Sequence, residues 1–175
     1  MFITDNSARV DAPALVIHKS ACWTICDKFL STCMLTKIKQ IDPQKLSEVK
    51  EQPRCENCFK MGLEYLKNLP IKKNYFSEFV SQNEINNIEQ IVNSTNLEHL
   101  KDFKYNEINT GEEALAGALR YFGKEKIDEE KFKLQILKKF LYSALKTQIS
   151  FQNLVNANNY DVVVYSHGIY VPHGI

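Results

Sequence analysis

Between Asn83 and Val92 the apolar positions Ile85, Ile88, Ile91 and Val92 recur at helical spacing, and Ser94-Thr95-Asn96 closes the run with residues that favour caps and turns. A helix is predicted there. Thr110 with Glu113 three positions on has the pattern of a capping box, and Ala114, Leu115, Ala118, Leu119 and Phe122 form an apolar stripe that stops at Gly123. The prediction is a helix over 111–122. Asp128 is placed to cap the longest element, in which Phe132, Ile136, Phe140, Ala144 and Leu154-Val155 mark one face and lysines the other, running to about Ala157. After Asn158-Asn159 comes Asp161-Val-Val-Val-Tyr165, a β-branched run of the kind found in parallel strands buried on both faces. Helix, turn and buried strand together predict an α/β crossover.

The front of the chain is less regular. Residues 2–4 are read as the remnant of a first strand, 14–21 as a short helix leading into a strand at 22–26, and 58–69 as a brief helix. Pro43, Pro53 and Pro70 punctuate the stretch between Lys28 and Asn83, which predicts an irregular excursion, cysteine-bearing over about 26–60. The expected fold class is therefore α/β and Rossmann-like. Residues 1–175 are expected to be one incomplete domain, since the chain stops ten residues past Tyr165, where a doubly wound fold continues.

Composition narrows the classes. The chain has 175 residues, 44% hydrophobic and 11% aromatic, which suffices for a globular core. With 22 basic and 21 acidic residues the net charge is +1, so no global field draws in nucleic acid or an anionic membrane. No apolar stretch approaches the roughly 20 residues that span a bilayer, and the start lacks a basic segment followed by an apolar one. A cytoplasmic location is expected, where thiols stay reduced.

Candidate chemistry then falls in three places. Cys26-x6-Cys33-x21-Cys55-x2-Cys58 offers two thiolate pairs to one tetrahedral structural zinc; small buried thiols are the alternative, iron–sulfur ligation a weaker one, and Cys22 stands outside the set. His167 and His173 flank Gly168, Tyr170, Pro172 and Gly174 at the carboxyl end of the predicted strand, where open α/β sheets place ligands; an imidazole there can act as a general base or donate a hydrogen bond, or can be an ordinary polar loop residue. Glu112, Glu113, Arg120 and Tyr121 share the 111–122 helix, with surface ion pairing as the default reading. The helix lysines are read as a solvated face, and His18 and His99 as without function.

Three passages together resemble a family of bacterial capsule and surface polysaccharide biosynthesis proteins, glycosyltransferase-like and of GT-B type. They are Cys26-Asp27 to Cys33 with Cys55-Glu-Asn-Cys58, then Thr110 to Phe122, and, most specific of the three, Asp161 to Gly174 with its His-Gly-Ile-Tyr-Val-Pro run. The resemblance spans about residues 22–175. It implies a Rossmann-like N-terminal domain of a GT-B fold that helps bind a glycan acceptor, with the nucleotide-sugar donor held mainly by a C-terminal domain beyond this chain. His167 is then the favoured base, and Asp27, Glu112, Arg120, Gly168, Tyr170 and Gly174 the substrate-binding residues. The implied partners are a nucleotide-sugar and a glycan, with peripheral association at the inner membrane compatible with that role. The sequence departs from the family at Lys28, where a glycine is usual and a positive φ would be easier. The competing expectation is a zinc-stabilised interaction module with no chemistry of its own.

Overall fold

A computed structural model describes residues 2–5, 14–17, 64, 73–130, 132–158 and 160–164. Three α-helices dominate that part: α1 Gln82–Ser94, α2 Thr110–Phe122 and α3 Lys133–Asn156, of 13, 13 and 24 residues. Short 3-10 segments, Phe76–Phe79 and Leu97–Asp102, lead into α1 and link α1 to α2.

Each helix forms for a local reason. Ser81 caps α1 reciprocally: its hydroxyl accepts from the Glu84 amide, while the Glu84 carboxylate accepts from the Ser81 amide at 2.7 Å and the Ser81 hydroxyl at 2.7 Å. The apolar stripe of α1 is narrow, with only Ile88 and Val92 buried. Gly123 ends α2 at φ 68°, in the left-handed region that suits glycine, and its amide donates to the Leu119 and Arg120 carbonyls.

The core lies where α3 is enclosed. Ile136, Leu137, Phe140, Leu141, Ala144, Leu145 and Ile149 pack with Ala114, Ala118 and Tyr121 of α2, Ile88 and Val92 of α1, and Leu97, Leu100 and Ile127 of the connections. Full burial of a leucine-sized side chain stabilises by about 1.5–3 kcal/mol. Helix α3 therefore acts as the central strut. A smaller cluster joins Leu154 near its end to Phe76, with Phe79, Val80, Phe151 and Tyr160 against them.

Strands are short: β1 Phe2–Asp5, β2 Ala14–Ile17, β3 Lys73–Tyr75 and β4 Tyr160–Val164. They join in the order β3-β2-β1-β4, with β1 antiparallel to both β2 and β4 and only β2 and β3 parallel.

This architecture corrects the α/β, Rossmann-like expectation. The described part is mostly helical, and β4 is neither parallel to its neighbour nor buried on both faces: it pairs antiparallel with β1 at the edge of the order, and Val162 is 53% exposed. A β-branched run reports strand propensity, and neither the direction of the partner nor the number of covered faces is written in it.

Three local expectations change as well. Residues 14–17 are strand rather than the start of a helix. Thr110 lies inside α2, whose N-cap is Asn109 without a side-chain cap bond. Asp128 does not cap α3; it pairs with Lys133 at 2.8 Å, while Phe132 holds the cap position at φ 66°. The helix at 82–94, the end of α2 at Gly123, the end of α3 beside Ala157 and the burial of Ile136, Phe140, Ala144 and Leu154 follow the pattern of the sequence. Val155 is only half-buried.

Candidate functional site

Of the residues singled out for chemistry, Glu112, Glu113, Arg120 and Tyr121 are described. Asp27, Cys26, Cys33, Cys55, Cys58, His167, Gly168, Tyr170, His173 and Gly174 lie outside the described residues, as does the predicted strand at 22–26. Glu112 is in the first turn of α2 and Arg120 in the last, both exposed. Eight residues at 1.5 Å each separate their backbones by about 12 Å, so the two side chains serve opposite ends of the helix rather than one small group.

The setting of α2 is unusually close. Gly117 faces Phe140 of α3 so tightly that a Cβ would stand 2.5 Å from Cδ1 of the ring, and a Cβ on Gly111 would run into the Leu100 carbonyl oxygen. Phe140 also meets Tyr121 edge-on, with ring centroids 6.2 Å apart. At the start of α2 the buried Thr110 hydroxyl donates to Gln148 Oε1 of α3 at 2.6 Å, and Gln148 Nε2 donates to the Tyr105 carbonyl at 2.9 Å. That link reaches a tight turn in which Tyr105 and Ile108 exchange backbone hydrogen bonds, with Asn106 and Glu107 at φ 48° and 63°. Asparagine adopts this region readily, whereas for glutamate it is strained.

The pairs Gly117 with Phe140 and Thr110 with Gln148 fix α2 and α3 as antiparallel. Among the described residues, one Glu113 oxygen is buried without a hydrogen-bond partner. Desolvation, and then repulsion from Glu112, push the Glu113 carboxyl above its ordinary value. The hydroxyls of Ser143 and Ser150, both fully buried on α3, also lack partners among the described residues. Burial raises the Tyr121 phenol as well.

The lysines of α3 depart from the solvated face expected of them. Lys133, Lys138, Lys139 and Lys146 are all half-buried. Lys133 pairs with Asp128, Lys138 donates to Asn93 at 3.2 Å, and the Lys146 ammonium stands 5.6 Å from the centre of the Tyr142 ring. Desolvation pushes Lys139 down to about 8. Sequence reasoning passed over Gln148 and placed Lys139 with the solvated face. A signal was present for Gln148, which continues the apolar register of Leu137, Leu141 and Ala144; Lys139 lies on the far side of the helix from that register.

Among the described residues no group of three or more histidine, cysteine, aspartate or glutamate side chains is arranged to hold a metal ion, and all five cysteines lie outside them. Among the same residues no helix is long and apolar enough to cross a membrane. Comparison with known proteins finds no matching family, no matching characterised protein and no matching solved structure.

Proposed function

We propose that this chain takes part in sugar transfer from a nucleotide-sugar donor to a glycan acceptor in surface polysaccharide synthesis, contributing acceptor-side contacts and a histidine base. The observation that carries the reading is the passage from Asp161 to Gly174: strand β4 ends at Val164, and His167 follows three positions later, beside Gly168. Glycines let a substrate approach the backbone, and an imidazole can take the proton of a sugar hydroxyl as it attacks. Exposed Glu112 and Arg120 on α2 supply groups able to hydrogen-bond hydroxyls or to pair with phosphate.

Titration of the purified chain with oligosaccharides and, separately, with nucleotide-sugars, followed by NMR of the histidine rings, tests it. Saccharide-dependent shifts of the His167 ring that disappear in His167→Ala are expected. In a transfer-competent preparation the same variant is expected to lower turnover about a hundredfold with the fold intact. Near-normal transfer by His167→Ala removes the histidine from the mechanism, and failure to bind either ligand class overturns the proposal.

A second reading rests on the spacing of Cys26, Cys33, Cys55 and Cys58, which suits a structural zinc in a non-catalytic interaction module. One zinc per chain, lost in Cys55→Ser, together with no saccharide or nucleotide binding would favour it.

A further inference from the structure

We draw no further inference here: the strongest candidate, the buried Glu113 oxygen of α2 and the buried Ser143 and Ser150 hydroxyls of α3, which lack partners among the described residues, carries nothing because nothing among those residues shows what covers it.

Discussion

Ser81-Gln-Asn-Glu84 and Thr110-Gly-Glu-Glu113 carry the same short pattern, a hydroxyl followed three residues later by a glutamate, yet they end in opposite states. At α1 the box closes, and Glu84 also accepts from Asn153 Nδ2 of α3 at 2.8 Å. Hydrogen bonds from the Ser81 backbone, then from Asn153 and the Ser81 side chain, hold its carboxyl below the ordinary value. At α2 the threonine sits one position inside the helix and spends its proton on Gln148, so the glutamate three residues later has no box to close and its carboxyl is pushed up by desolvation. The difference teaches that a capping signature is an offer from the local sequence. Ser81 is exposed and its hydroxyl bonds within the box, whereas Thr110 is fully buried and bonds to a glutamine of α3.

If the close approach of α2 to α3 is what draws Thr110 away, forcing the helices apart should have the largest consequence. Gly117→Ala would drive a methyl into Phe140 and is expected to cost about 2–3 kcal/mol in urea unfolding. A loss below about 0.5 kcal/mol would show that the ring moves aside freely and that the seam does not hold α2. Gln148→Leu comes next, at about 2 kcal/mol, because it strips the Tyr105 carbonyl and the buried Thr110 hydroxyl of a partner. Should the leucine variant match the parent in stability, the buried link is not what overrides the box.

Ser81→Ala is expected to cost about 1 kcal/mol, the usual scale for a lost N-cap. Its pH dependence sharpens the contrast. A glutamate held below its unfolded value contributes stability that is present above about pH 4.5 and fades as pH falls through the folded value. The gap between parent and Ser81→Ala should therefore narrow on acidification, and a gap that widens would contradict the assignment of Glu84.

The smallest effect, of opposite sign, belongs to Glu113. Its folded value is raised, so its penalty on folding grows as pH climbs from about 4.5 to the folded value and stays constant above it. Glu113→Gln is expected to raise the melting temperature slightly at neutral pH, with no gain well below pH 4.5. A destabilised glutamine variant at pH 7 would mean that the charged form has a partner after all.

The elements most legible beforehand were those whose information is local. Apolar spacing marked α1, α2 and most of α3, and Gly123 marked the end of α2 through a left-handed conformation that disfavours other residues. The cysteine spacing and the histidine-glycine passage were equally visible, because donor chemistry and motif order are properties of the chain itself; their positions in space were not. Whether Asp161 to Val164 would run parallel or antiparallel, and with one face covered or two, depended on which distant strand lay beside it. Which serine or threonine would cap a helix depended on whether a remote polar group competed for its hydroxyl, as Gln148 does from 38 residues away. Lys139 and Glu113 have opposite charges in the sequence and the same cause for their altered acidity in the structure, the removal of water by neighbouring chain. Helical periodicity acts over a few residues and can be read in order; strand partnership, cap competition and desolvation are set by contacts between distant segments, and only the tertiary structure decided them.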